Sequence, residues 1–215
     1  MPPRKLYFET VRAGDEIPAL AKAPVDRVQL ARFAGATGDF NPLHVDEQHA
    51  RGLGMPSVYA PSTLGMSFLG QLITDWARGA QIRKFNAKFI KLIWPGDTIV
   101  CKGRVSDRHG TGGSYFIELE VWAENQKGEL VLRGGCTLKV YFNAEDESRQ
   151  RSGLAPLMVE VGRESLLGKV ELQDGERGKP PPPAPKSSPA KSSKPSKPAA
   201  KKKPAAKPAA KKKKK

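Results

Sequence analysis

The hydrophobic positions of the chain recur at helical spacing most clearly in one long segment, residues 62–78. Ser62 or Thr63 is placed to cap this helix, and Gly79 is placed to end it. The apolar face is wide and consists of Leu64, Phe68, Leu69, Leu72, Ile73 and Trp76. A helix with so wide an apolar face is expected to be wrapped by other structure.

Downstream of this helix the period changes to two, which predicts strands. The segments are "QIRKFNAKFIKLI", then, after a Pro-Gly-Asp turn at 95–97, "TIVCKGRVSDR", "SYFIELEVWAEN" and "LVLRGGCTLKVYF", the last three joined by "HGTGG" and "NQKGE". Phe116, Glu118, Glu120 and Trp122 alternate with other residues as in a strand with one face in water. One long helix followed by an antiparallel meander predicts an α+β fold in which the sheet wraps the helix.

Upstream of the helix, "LYFETVRAGDEIPAL" predicts an extended start with a Gly-Asp turn. The next segment, "PVDRVQLARFAGATGD", predicts a helix that Asp26 caps and that Gly35 and Gly38 close. A short helix is expected with Asp46 as its cap, ending at Gly52 or Gly54.

Charge divides the chain into regions. The 215 residues carry a formal net charge of +15, but residues 179–215 contain 14 lysines and no acidic residue, which leaves residues 1–178 with a net charge of +1. The body is therefore not a basic nucleic-acid-binding domain. We expect a folded domain over 1–142, an extension over 143–178 that is partly ordered at best, and a disordered Lys/Pro/Ala-rich tail over 179–215.

The tail resembles the tails of linker histones. A flexible polycation binds nucleic acid, polyphosphate or acidic protein surfaces with strong salt dependence, and without aromatic residues it has no means of sequence-specific recognition. A solubilising or loosely tethering tail explains the same composition.

The remaining composition points to the cytoplasm. Cys101 and Cys136 lie in apolar, strand-like runs, as expected of buried thiols in a reducing compartment. The start "MPPRKLYFETV" lacks the apolar core of a signal peptide, and the most apolar segment is interrupted by Gln71 and Asp75 and is too short to span a bilayer.

One polar stretch, "GDFNPLHVDEQHA" at residues 38–50, raises the question of a site. Pro42 lies between Asp39 and His44 and breaks any helix, so the stretch is predicted to be a turn. Gly38 allows the bend and Pro42 stiffens it, so a carboxylate and an imidazole can be aimed at one water molecule.

Two other interpretations compete with a catalytic turn. Asp39 can cap the preceding turn while Asn41 forms an Asx-turn and His44 is satisfied in the core. A metal site from His44, Asp46 and His49 is disfavoured because no second cluster of histidines or carboxylates appears elsewhere and His49 is expected on the exposed side of its helix.

The longer string "FAGATGDFNPLHVDEQHA" resembles the signature of the MaoC-like, or (R)-specific enoyl-CoA hydratase, family. The resemblance covers roughly residues 11–142 and continues through "AKFIKLIWPGDTI". It implies a hot-dog fold, in which an antiparallel sheet wraps the helix at 62–78. It also implies a dimer with sheets joined edge to edge, formed either by two copies or by two different hot-dog chains.

The resemblance implies a lyase of fatty acid metabolism: reversible syn addition of water to a trans-2-enoyl thioester, which gives a (3R)-hydroxyacyl thioester. CoA or an acyl carrier would deliver the substrate, with no cofactor and no metal. Carried over by position, Asp39 is the general base. His44 holds the same water and helps to return a proton to the α-carbon, and Asn41, Gly38 and Pro42 support the turn. The alternative is a thioester-binding or scaffold subunit of a heteromeric hot-dog complex with little activity alone.

The chain departs from the family pattern at the start of the long helix. Family members commonly carry His-Gly-Met there, whereas this chain has Pro61, Ser62 and Thr63. Backbone N–H groups of Ser62 and Thr63 remain candidates for the oxyanion and substrate site, although the Ser62 side chain could narrow the acyl pocket. Candidate CoA contacts, equally explained as solvated cations, are Arg83, Lys84, Lys88 and Lys91.

Overall fold

The computed structural model describes residues 5–166. The strands are β1 (Glu16–Ala21), β2 (Gln81–Phe89), β3 (Val100–Thr111), β4 (Ser114–Glu124), β5 (Leu130–Val140) and β6 (Glu164–Ser165). The helices are α1 (Arg27–Thr37), α2 (Glu47–Gly52), α3 (Ser62–Trp76) and α4 (Ala144–Arg151), with single 3-10 turns at Phe8–Thr10 and Pro42–His44.

The sheet is antiparallel throughout and has the order β1-β3-β4-β5-β2, with β6 paired to β3. The helix α3 lies against it, and Leu69, Leu72 and Ile73 are buried at 2% exposure or less. The predicted α+β hot-dog fold, one long helix wrapped by a sheet, is therefore confirmed. The helix ends two residues earlier than the predicted 62–78, and Gly79 turns the chain away with a φ of 83°.

The predicted two-sided strand is also confirmed. In β4 the inward residues Tyr115, Ile117, Leu119, Val121 and Ala123 are buried. The outward residues are more exposed, and one of them, Glu120, pairs with Arg104 of β3 at 2.7 Å. Cys101 and Cys136 are buried and unpaired, and burial raises the pKa of Cys101 to about 12 and that of Cys136 to about 11.

Two of the three predicted helix caps are confirmed, and one is wrong. Asp26 caps α1 by accepting a hydrogen bond from the Gln29 N–H, and Asp46 caps α2 in the same way, as expected. The prediction that Ser62 or Thr63 caps α3 is wrong. A capping residue needs extended backbone, and here Pro61 occupies that position with ψ of 132°, so Ser62 is already the first helical residue and no side chain caps α3.

The segment after residue 142 packs on the body as far as it is described. Asp146 is fully buried and accepts hydrogen bonds from the Phe142 and Leu157 N–H groups, and β6 pairs with β3. The predicted boundary at 142 stays a prediction. The rest of the predicted extension and the whole predicted tail, 179–215, lie outside the described residues. Within 5–166, no helix is long and apolar enough to cross a membrane.

Candidate active site

The polar stretch forms a tight turn between α1 and α2. Gly38 ends α1 with a φ of 70°, in the left-handed region that favours glycine, and the next N–H, of Asp39, donates to the Ala34 carbonyl at 2.9 Å. The Asn41 side chain accepts from the Leu43 N–H at 3.1 Å, and Pro42 begins the 3-10 turn. These residues fix the path of the chain from Asp39 to His44.

Asp39 and His44 face each other across this turn. Nε2 of His44 lies 3.4 Å from Oδ2 of Asp39, and Nδ1 lies 2.8 Å from the Tyr59 carbonyl oxygen. Because a carbonyl only accepts, Nδ1 carries the proton, and Nε2 of the neutral ring is an acceptor. Two acceptors that face each other are stabilised by a shared donor, so the pair is suited to hold a water through both of its hydrogens.

Burial differs between the two partners in a way that suits a site. His44 is 6% exposed, whereas the side chain of Asp39 is 40% exposed. The imidazole is therefore fixed in the protein while the carboxylate reaches the surface. The Asx-turn of Asn41 exists as the competing interpretation requires, but it uses Asn41 itself and leaves Nε2 of His44 facing Asp39.

The metal interpretation finds no support in the geometry of its three residues. Oδ1 of Asp46 accepts the His49 N–H at 3.0 Å as the helix cap, and His49 is exposed. Among residues 5–166 there is no group of three or more His, Cys, Asp and Glu side chains that could hold a metal ion.

Glu47, the first residue of α2, ties that helix to the loop whose Tyr59 carbonyl accepts from His44. Its carboxylate accepts from Arg27 at 2.7 Å, from Arg51 at 2.9 Å and from the Ser57 hydroxyl at 3.1 Å. It also lies 3.4 Å from the N–H of Val58, the residue before Tyr59. The hydrogen bond from Arg27, helped by the others, lowers the pKa of Glu47 to about 2.

Sequence reasoning missed both Glu47 and Tyr59. The spacing of Glu47 and Arg51, four residues apart on a helix, is a visible signal for that ion pair alone. The contact of Tyr59 with His44 is made by a main-chain carbonyl, which no residue type announces.

The start of α3 lies three residues beyond Tyr59. Leu64 donates its N–H to the Pro61 carbonyl at 2.9 Å, but the N–H groups of Ser62 and Thr63 have no partner among the described residues. Both residues are exposed. Free N–H groups at a helix start, reinforced by the helix dipole, form a ready site for negative charge.

Cavities near this helix differ in size. The one beside Ser62 is about 10 Å³ and is bounded by Phe89 and Leu92, so it has room for one water at most. A groove of about 620 Å³ lies between α1 and α3, against Phe33, Leu64 and Phe68, and its volume is typical of a small-molecule site.

The four candidate CoA contacts do not lie together. Lys91 borders the small cavity beside Ser62 and pairs with Glu129 at 2.7 Å. Arg83, Lys84 and Lys88 are exposed on β2, and the first two are at the end of the strand away from Phe89, which borders that cavity. The structure thus brings together Asp39 with His44, and Lys91 with Ser62.

Comparisons with known proteins identify one family for this chain. The family described as "MaoC like domain" matches residues 9–121, more than half of the chain. A "UPF0336 protein" from Thermobifida fusca (strain YX) is 29% identical over 129 residues, which are 56% of this chain and 85% of that protein.

Two solved structures share the fold. The (R)-hydratase from A. caviae involved in PHA biosynthesis is 21% identical with a TM-score of 0.56, covering 61% of this chain and 98% of that one. The C-terminally truncated HadBC (3R-hydroxyacyl-ACP dehydratase) complex from Mycobacterium tuberculosis is 22% identical with a TM-score of 0.53, covering 61% and 99%.

Proposed function

Because this chain belongs to the MaoC-like domain family, we propose that it is a hydro-lyase that hydrates trans-2-enoyl thioesters and dehydrates (3R)-hydroxyacyl thioesters, with CoA as the carrier. The observation that supports this most is the approach of Asp39 Oδ2 to His44 Nε2 at 3.4 Å, with Nδ1 of the same ring bonded to Tyr59. Two acceptors at this distance, one at the surface and one buried, bind a water in one orientation.

The water is the nucleophile in the hydration direction. It donates one hydrogen to Asp39 and the other to Nε2 of His44, which leaves a lone pair free to attack C3 of the substrate. As the C–O bond forms, Asp39 takes its proton, while the second proton stays on the new hydroxyl, which remains bonded to His44. With its proton on Nδ1, the neutral imidazole has none on Nε2 to give, so the proton added to C2 comes from the Asp39 carboxyl. His44 then holds the water, and the part in proton return that the resemblance implies for it falls to Asp39. Both additions then occur from the same side, which is the syn course.

Negative charge that develops on the thioester oxygen needs a donor in place before the reaction. The free N–H groups of Ser62 and Thr63 supply two at the start of a 15-residue helix. The segment from Tyr59 to Ser62 connects this donor pair directly to the carbonyl that holds His44. Lys91, beside Ser62, is the best placed of the cations to meet the CoA carrier.

The groove between α1 and α3 is the proposed place for the acyl chain. It begins at Leu64, within the first turn of the helix that carries the oxyanion donors, and it is bordered by aromatic residues at Phe33 and Phe68. Phe40, next to Asp39, is 77% exposed and adds an apolar surface at the site.

The test is turnover of the purified full-length chain. With crotonyl-CoA and longer trans-2-enoyl-CoAs, absorbance of the enoyl thioester should fall, and Asp39→Asn and His44→Gln should each slow this by at least about 100-fold. His49→Gln is the matched control, since His49 is an exposed histidine five residues away from His44 and should leave the rate unchanged. A folded protein without turnover on any chain length would contradict the proposal for the chain alone.

A second function is favoured by the cavity beside Ser62, which at about 10 Å³ holds one water at most and leaves no room at that point for the thioester group. It is a thioester-binding or scaffold subunit of a heteromeric hot-dog complex, active only when a second chain completes the site. Turnover that appears only after co-purification with another chain, and that is still lost in Asp39→Asn, would favour this function over the first.

A further inference from the structure

The carboxylate of Asp97 is buried in the turn that leads into β3, and the site described above makes no use of it. The residue is only 9% exposed. Oδ2 accepts the Trp94 N–H at 2.8 Å, and Oδ1 accepts from the Gln126 side-chain amide at 2.9 Å. Asp97 forms no ion pair with any residue of 5–166, so both of these donors are neutral. Because a buried carboxylate without a cation is costly, its contacts show what it is used for.

Trp94, the first of these donors, lies beside the segment that holds His44. Its ring packs edge to face against the ring of Tyr59, with the centroids 5.9 Å apart and the planes at 71°. The carbonyl of the preceding residue, Ile93, accepts the Ala60 N–H at 2.9 Å. Residues 93 and 94 therefore hold residues 59 and 60 by one main-chain hydrogen bond and one aromatic contact.

Tyr59 in turn fixes the imidazole of His44 in two ways. Its carbonyl accepts from Nδ1 at 2.8 Å, and the two rings lie 5.2 Å apart with their planes at 89°. Nε2 faces Asp39 only while the imidazole keeps this orientation. A displacement of residue 59 would therefore turn Nε2 away from Asp39.

We propose that Asp97 is a positioning residue for His44, which it reaches through Trp94 and Tyr59. The carboxylate fixes Trp94 against the turn between β4 and β5, where Gln126 lies; Trp94 fixes Tyr59, and Tyr59 fixes the tautomer and direction of the imidazole. The importance of Asp97 for turnover rests on the proposed function, whereas its effect on the imidazole does not. A carboxylate that only shaped its own turn would leave His44 unaffected.

An exchange of donor and acceptor between positions 97 and 126 tests these hydrogen bonds. In Asp97→Asn the new amide still accepts from Trp94, but its NH2 group faces the NH2 group of Gln126. In Asp97→Asn/Gln126→Glu the same NH2 group donates to a carboxylate, so both contacts are restored at the net charge of wild type. The new carboxylate also keeps an acceptor for the Thr98 N–H, as Gln126 has now. Asp75→Asn is the matched control, since Asp75 is exposed near the end of α3 and its side chain bonds to none of the described residues.

Nitrogen-15 NMR of labelled histidines reads the imidazole directly. The chain has three histidines, so His44→Gln assigns the signals of His44, and His49 and His109 serve as internal references. In wild type with neutral rings, His44 should show one tautomer, with the proton on Nδ1. The separation between its two ring-nitrogen shifts should narrow in Asp97→Asn and return in the double variant. In the hydratase assay, kcat should fall about tenfold in Asp97→Asn, with KM unchanged within about twofold, and should recover in the double variant.

Three outcomes would overturn the proposal. The first is a folded Asp97→Asn variant with the His44 signals of wild type. The second is a double variant as altered as the single one, which means that the charge at position 97 matters and its hydrogen bonds do not. The third is an equal change at His49 and His109, which means a general loosening of the fold.

A second variant covers the case in which Asp97→Asn does not fold. Trp94→Leu keeps the N–H that Asp97 accepts and removes the ring, so it should alter the signals of His44 alone. Unaltered His44 signals in this variant would equally overturn the proposal. The expected changes at His44 in a chain without turnover would support the positioning role while refuting the proposed function, so the two failures can be told apart.

Discussion

Replacing Gly134 with alanine tests how closely β5 must approach β2. Gly134 lies opposite Ala87 in the ladder, and a Cβ added there would overlap the Asn86 carbonyl oxygen and lie 3.0 Å from the Ala87 Cα. These neighbours are main-chain atoms of a paired strand, so no side-chain rotation can relieve the clash. The two strands must separate for alanine to fit.

The neighbouring glycine provides the scale and the control. A Cβ at Gly135 would meet the Leu119 carbonyl oxygen at 3.4 Å and Asn86 Nδ2 at 3.9 Å, which are ordinary contacts. Overpacking typically costs about 1–3 kcal/mol, and a main-chain clash belongs at the upper end, about 3 kcal/mol. Gly135→Ala should be within about 1 kcal/mol of wild type, since alanine loses less conformational entropy than glycine in a strand.

Thermal unfolding of the two variants measures the difference. For a folded part of this size, about 1 kcal/mol corresponds to about 2–4 °C, so Gly134→Ala should lower Tm by about 6–12 °C while Gly135→Ala changes it by about 4 °C or less. Circular dichroism at equal protein concentration suffices for the comparison. If the two variants melt within about 2 °C of each other, β5 does not approach β2 as closely at Gly134 as the clash with the Asn86 carbonyl requires.

Three further predictions concern other parts of the chain. Glu47→Ala should lower turnover about 10- to 100-fold because the loop that holds the imidazole is misplaced, whereas Glu120, which is exposed and paired with Arg104, should tolerate alanine; equal losses would refute a positioning role. Because the folded pKa of Glu47 is about 2, below its ordinary 4.5, its contribution to stability is present above about pH 4.5 and is lost as pH falls through 2, which acid unfolding of the two variants can follow. The raised pKa values of Cys101 and Cys136 predict that a thiol reagent does not react with them at pH 8 until the protein is denatured, and rapid labelling of the folded protein would contradict this. They also predict that stability falls as pH rises above 9, because the thiols of the unfolded chain then ionise while those of the folded chain do not. Deleting residues 179–215 should abolish salt-sensitive retention on DNA, and retention by the truncated chain would exclude the lysine tail as its cause.

The fold was predictable from sequence wherever local chemistry decides the conformation. Asp26 and Asp46 cap helices because a short acidic side chain reaches an N–H three residues on, which depends on nearby residues alone. Alternation along β4 predicted its buried face for the same reason. The predicted cap of α3 is wrong because Pro61, with a ψ of 132°, occupies the cap position, so Ser62 is already the first helical residue.

The residue types of the candidate site could be predicted from the sequence, but the groups that hold those residues in place could not. The spacing of Asp39, Pro42 and His44 is a local pattern, so it could be read directly. The Tyr59 carbonyl that selects the tautomer is a main-chain group, and Glu47 reaches Val58 over eleven residues, so both depend on how the loops fold over one another.

Two polar features of the described residues match groups of the proposed reactants, water and the thioester. The first N–H groups of a helix have no partner within the helix and are met by side chains, water or ligands. This chain leaves Asp39 and His44 as facing acceptors and leaves the N–H groups of Ser62 and Thr63 uncapped, on a segment that Glu47 fixes to the same turn. A water supplies the two hydrogens that the acceptors lack, and a thioester oxygen supplies the acceptor that the helix start lacks. Hydration of an enoyl thioester, the proposed reaction, would bring both groups to the site together and would use both features at once.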